Sequence, residues 1–88
     1  MQAPTLAGMG CFLIVHRHAP DECAVVFAAW HGFDSPLRHR AAVCSCRSGG
    51  HGLWWTVDAD DSGAALALLP PYLCDRAEAI AVCDVPIP

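Results

Sequence analysis

The sequence predicts an α+β domain, a four-stranded antiparallel sheet with two helices on one face. Three observations carry this expectation. Four short apolar runs at 11–18, 41–46, 52–59 and 78–85 are bounded by turn residues and read as strands; helix-start chemistry follows the first and third; and the resulting order is strand, helix, strand, strand, helix, strand.

Residues 1–9 mix proline, glycine and small side chains without periodicity and read as a flexible N-terminal arm, leaving 10–88 as a single domain. The first run, "CFLIVHRH" (11–18), is rich in β-branched and aromatic residues and is stopped by Ala19-Pro20. Phe12 and Ile14 fall on one face and Cys11, Leu13 and Val15 on the other, the pattern of a central strand covered twice. Pro20 suits a first helical turn, and Asp21 and Glu22 put negative charge at its positive end, so a helix begins there with Cys23, Val26, Phe27 and Trp30 as its buried stripe. It stops near His31-Gly32, and 33–40 is a loop with a short turn from Ser35-Pro36. "AAVCSC" (41–46) and "GLWWTVDA" (52–59) flank "RSGGH", where Gly49 and Gly50 permit a tight reversal, and together they predict a hairpin. "DADDS" (58–62) supplies caps for a second helix, "GAALALL", that Pro70-Pro71 ends; "PPYLCDRA" then reads as a turn. "EAIAVCDV" (78–85) is the last strand, which Pro86 and Pro88 keep from extending.

This is the split βαβ, or ferredoxin-like βαββαβ, arrangement, and it leaves one sheet face without a layer. Because the first strand is apolar on both sides, the open face is expected to meet its copy in a symmetric homodimer. Composition points the same way. A chain of 88 residues buries only about 60–65% of its unfolded surface. At 55% hydrophobic and 16% charged, it has few polar side chains with which to coat a monomer. The net charge is −4, there is no lysine, and of the five arginines only Arg38 and Arg40 are close together, which excludes the dense basic surface that nucleic acid or an anionic membrane demands. No basic residue precedes Arg17, and no apolar span approaches the roughly 20 residues of a membrane helix. A cytoplasmic protein is therefore expected, its six cysteines reduced and mostly buried as small apolar side chains.

Over 10–87, the stretches "FLIVHRHAPDE", "GGHGLWWTVDADD" and "RAEAIAVCDVPI" make the chain resemble the dimeric α/β-barrel superfamily, closest to its small bacterial stand-alone members. The resemblance implies two ferredoxin-like chains that close their sheets around a central cavity. Relatives in that superfamily are muconolactone isomerase-like, polyketide cyclase-like or cofactor-free monooxygenase-like, and some small members bind divalent transition metals. No signature particular to any one of these enzymes is present, and a shared fold does not fix chemistry.

His16 and His18 lie two apart in a strand and so project together. Such a pair can chelate zinc, nickel or copper once a third ligand joins, from His51, Cys44, Cys46 or a partner subunit. The same two imidazoles can instead contact a small ligand, move a proton, or simply mark where the strand emerges at a wet rim. Cys44-x-Cys46 sets two sulfurs on one face, yet it lacks C-x-x-C spacing, and small side chains under a helix explain it equally. Trp54 and Trp55 face opposite ways, so only one can line a cavity, with Trp54 the candidate ligand contact. Tyr72 is a candidate hydrogen-bond donor to the same ligand, or a cover for the barrel end. Arg38 and Arg40, with His39, form a loop patch able to hold a carboxylate or phosphate, or merely a solvated loop. Asp58, Asp60 and Asp61 lack the spacing of a calcium loop and read as caps.

The expected function is that of a cytoplasmic homodimer binding a divalent transition metal or a small ligand without turnover. Zinc or nickel suits these donors better than magnesium or calcium, and no organic cofactor is expected. The alternatives are a cofactor-free isomerase, cyclase or monooxygenase with a cavity histidine as general base, and a structural interaction module. Whether the chain is an enzyme stays open.

Overall fold

The computed structural model describes residues 9–88, so the arm expected at 1–9 lies outside the described residues except for Met9. Strand β1 (Gly10–Arg17) runs through a 3-10 turn at Pro20–Glu22 into helix α1 (Cys23–Ala28). After a loop come β2 (Val43–Cys44), a 3-10 turn at Cys46–Ser48, and β3 (Gly52–Ala59). Helices α2 (Ser62–Leu66) and α3 (Pro71–Cys74) precede β4 (Ala77–Val82). The four strands form one antiparallel sheet in the order β2-β3-β1-β4. β1 is central, with Ile14 opposite Trp55 and Ala79, and His16 opposite Leu53 and Ala77.

Alternation along the strands sorts the sheet into two unlike faces. Phe12 and Ile14 of β1 and Leu53, Trp55, Val57 and Ala59 of β3 are buried on one side, where α1 adds Val26, α2 adds Ala65 and α3 adds Leu73. Each fully buried Ile, Leu or Val here contributes about 1.5–3 kcal/mol from the area it removes from water. On the other face Cys11, Leu13 and Val15 are only half-buried, while Val43, Ile80 and Val82 are exposed. Within the chain, β1 is thus covered once.

Three local expectations need correction. Helix α1 holds fewer than two turns, too few to present a four-residue stripe; Val26 is fully buried, but Phe27 is 50% exposed at the flank. The segment 71–74, expected as a turn, is a helix. Pro71 occupies the first helical position, where its missing N–H costs nothing, and the Pro70 carbonyl accepts from Leu73 N (2.9 Å) and Cys74 N (3.0 Å). The hairpin forms, but its first strand is only two residues long because Ser45 diverts the chain: its N–H donates to Gly52 O, and its hydroxyl accepts from Gly52 N, both at 3.0 Å.

Candidate metal centre

Two loops meet at the edge of the core where β1 ends and β3 begins. The first carries His18 and, across the Pro20–Glu22 turn, Cys23; the second carries Cys46 and, across the Cys46–Ser48 turn, His51. A backbone bond from His18 N to His51 O, 3.1 Å, ties the loops together. Gly49 (φ 84°) turns the second loop, and His51 itself adopts φ 50°. That left-handed conformation is rare for a residue with a Cβ, and histidine is among the few that tolerate it. It leaves His51 Nδ1 3.2 Å from Cys23 Sγ.

His18 Nε2 lies 3.3 Å from Cys23 Sγ and 3.5 Å from Cys46 Sγ. One donor atom from each of His18, Cys23, Cys46 and His51 falls within 4.8 Å of all the others. Bonds of about 2.0–2.1 Å to nitrogen and 2.3 Å to sulfur give a tetrahedral zinc site edges of about 3.3–3.8 Å. The observed contacts of 3.2–3.5 Å are edges of that size. The donor set is Cys2His2, and four protein donors would fill a tetrahedral ion's coordination.

His16 stands behind this cluster. Its ring is fully buried; Nδ1 is 3.2 Å from the Leu73 carbonyl and Nε2 is 3.2 Å from His18 Nδ1. A carbonyl only accepts, so His16 Nδ1 donates and its Nε2 accepts from His18 Nδ1–H. The relay leaves the lone pair of His18 on Nε2, facing both sulfurs. Backing of a ligand imidazole by a second hydrogen-bonding group is what fixes its tautomer and ring orientation at a metal.

The electrostatics suit a cation. Burial, with the neighbouring His18 adding to it, lowers the His16 pKa against the hydrogen bond to Leu73. Burial and then His51 lower that of His18. Both shifts favour the neutral ring, the form that ligates. Burial, reinforced by Cys44 and Cys23, pushes the Cys46 thiol up to about 11. Two sulfurs side by side resist ionisation, and a divalent cation between them reverses that preference.

Of the five candidate ligands, His18, His51 and Cys46 are in the cluster. His16 does not converge on the same point as His18; it supports that ring from the core side. Cys44 is exposed, and its sulfur accepts from Cys46 N at 3.3 Å. The chain leaves the strand at Ser45, so residues 44 and 46 do not share a face as strict alternation would require. Cys23 belongs to the cluster and was not singled out. Its signal was the spacing, since His18-x4-Cys23 and Cys46-x4-His51 each place four residues between donors.

The candidate ligand contacts are dispersed. His16 and His18 are buried on the helix-covered side of the sheet, not on its open face. Trp54 is on the open face, with the Arg17 guanidinium 5.5 Å over its ring. Gly52 is required beneath it, because a Cβ there would come within 2.5 Å of the indole. Tyr72 donates to Glu22 Oε2 at 2.6 Å, and Arg76 bridges the same oxygen at 3.0 Å, fastening the start of α1 to α3. No helix among the described residues is long and apolar enough to cross a membrane.

Comparison with family models, with curated proteins and with solved structures finds no match for this chain.

Proposed function

We propose that the chain is a small zinc-binding module in which the ion, held by His18, Cys23, Cys46 and His51, staples the β1–α1 loop to the hairpin loop and performs no turnover. The observation that carries this reading is the convergence of four donors from two loops within 4.8 Å. A closed set of four protein ligands leaves no position for a substrate or an activated water, which distinguishes structural from catalytic zinc. Thiolate and imidazole in tetrahedral array favour zinc over nickel, which prefers planar or octahedral surroundings, and over calcium and magnesium, which demand oxygen. Elemental analysis of purified protein is the test. About one zinc per chain is expected, with the tetrahedral thiolate spectrum on cobalt substitution; the ion should vanish from Cys23→Ala and His51→Asn. Metal retained equally by both variants overturns the reading.

The strand order, with β1 and β3 inside and β2 and β4 at the edges, supports the split βαβ topology within the dimeric α/β-barrel likeness. A second copy of this chain is the occupant proposed for the open face. Leu13, Val15, Val43, Ile80 and Val82 form its apolar field. Arg17 stands at one end of that face and Asp58, opposite Cys11, at the other, so two sheets packed with antiparallel strands would set opposite charges across the two-fold axis.

A further inference from the structure

The molecule carries a second concavity, separate from the four donors. A groove of about 380 Å³ opens between α1, the loop that follows it and β3, within the size range of small-molecule sites. Phe27, Trp30 and Trp55 are its aromatic walls, with Leu37 and Leu53 at the base. Trp30 and Trp55 pack against each other with ring centroids 5.9 Å apart and planes at 50°, and both line the groove. Phe27, half-exposed on the flank of α1, lines the same groove, which accounts for an aromatic side chain held in water.

Its polar lining is of one sign. Arg38, His39 and Arg40 line it together with His31, and no carboxylate does, although the chain has a net charge of −4. Among the described residues, neither the Arg38 nor the Arg40 guanidinium has a salt-bridge or hydrogen-bond partner, whereas Arg76 is paired with Glu22. His39 adopts φ 66° between them, and the turn it closes carries both arginines along the groove.

From this juxtaposition we infer that the groove binds a planar aromatic carboxylate, its ring against the aromatic wall of Trp30, Trp55 and Phe27 and its carboxylate on the Arg38 and Arg40 guanidinium groups. A guanidinium fork matches a carboxylate with two parallel hydrogen bonds, and a flat apolar body matches the indoles. The proposal is independent of the metal reading, since none of the four zinc donors lines the groove.

The test is a titration of zinc-loaded, 15N-labelled protein with 2-naphthoate, following the three indole N–H signals, with 2-naphthamide as the neutral counterpart. Trp54, on the opposite sheet face, is the internal control. Trp30 and Trp55 should shift while Trp54 stays still, and the amide should bind at least about tenfold more weakly. Arg38→Gln with Arg40→Gln should raise the naphthoate dissociation constant by at least about tenfold while zinc content and melting temperature hold. Equal binding of acid and amide, an undiminished affinity in the double variant, movement of Trp54 alone, or no response up to ~5 mM probe would each overturn the proposal. Protein that takes up no zinc yet gives the naphthoate response would refute only the metal reading.

Discussion

If the four donors hold zinc as proposed, removing the ion should cost this domain a large part of its thermal stability, and the size of the loss follows from the geometry. The donor atoms already lie within 4.8 Å of one another, against tetrahedral edges of about 3.3–3.8 Å, so binding requires a contraction of roughly 1 Å and little ordering. On the proposed zinc-binding reading, the relevant comparison is with structural zinc sites, whose apparent binding free energies are about 10–16 kcal/mol. Free zinc at a thousand times its dissociation constant then adds about 4 kcal/mol to the folded state. For a domain of this size, about 1 kcal/mol moves the melting temperature by roughly 4–8 °C, so zinc should raise it by roughly 16–32 °C. Calorimetric melts of one preparation with buffered micromolar zinc and with excess chelator read this directly. Binding should also release protons, because Cys46, held near 11 by burial and neighbouring thiols, must give up its own to ligate. A zinc-dependent shift below about 4 °C would refute the stapling role, whatever ion the site holds.

Three further outcomes are expected. His51→Asn keeps a residue that tolerates the left-handed backbone while removing a ligand, so the zinc-free melting curve should move by less than about 0.5 kcal/mol while zinc affinity falls by more than about a hundredfold; isothermal titration separates the two effects. Ile80→Glu on the open face should turn a dimer into a monomer in light scattering without loss of zinc, and a wild-type protein that is monomeric at micromolar concentration would remove the two-fold proposal. The Glu22 carboxyl is held below its ordinary value chiefly by the Tyr72 hydroxyl and then by Ala19 N–H. A carboxyl depressed on folding contributes stability that is complete above its unfolded pKa and is lost as pH falls through the folded one. Tyr72→Phe should therefore lower the melting temperature at pH 7, with the gap to the wild type closing as Glu22 becomes protonated in acid, which a pH series of melts measures.

What could be read from the chain, and what could not, divides along a physical line. Strand positions follow from local chemistry, and the run at 11–18 needed only its β-branched residues and the stop at Pro20 to be placed. The hairpin was legible because Gly49 sits where a positive φ is needed, as the structure has it. Pro70-Pro71 misled, since the same residue that ends one helix can open the next, and only packing of Leu73 into the core decides between them. The four-donor cluster is hidden from the sequence for the same physical reason. Alternation places His16 and His18 on one face, but whether two such rings converge on an ion or stack in series depends on the acceptor beyond them, here the Leu73 carbonyl, 57 residues away. Cys23 falls at helical spacing from Val26 and Phe27, which in sequence makes it one more residue of an apolar stripe. Its sulfur reaches Cys46 and His51 only because the hairpin folds back over the end of β1.

The series arrangement makes His16 a positioning residue with a consequence that can be measured. If Leu73 O fixes His16 as the Nδ1–H tautomer, then His18 is fixed as Nδ1–H as well, and its Nε2 is free to ligate. His16→Leu keeps an apolar-compatible volume in a fully buried position but breaks both bonds of the relay. The Leu73 carbonyl keeps its bond from Arg76 N at 3.0 Å, while the His18 Nδ1–H loses its acceptor; that costs about 1–3 kcal/mol, set against the gain from burying a leucine, so the net stability change is small. Zinc affinity, in contrast, should drop by roughly 10–100-fold, as it does when the group behind a ligand histidine is removed. Long-range proton–nitrogen spectra provide the readout that a merely structural role would not move: His18 should be a single Nδ1–H tautomer in the wild type and a mixture in His16→Leu. A variant with unchanged zinc affinity and an unchanged His18 tautomer would show that the direction of the His18 lone pair is set by the two sulfurs alone, and His16 would then be no more than a satisfied polar group in the core.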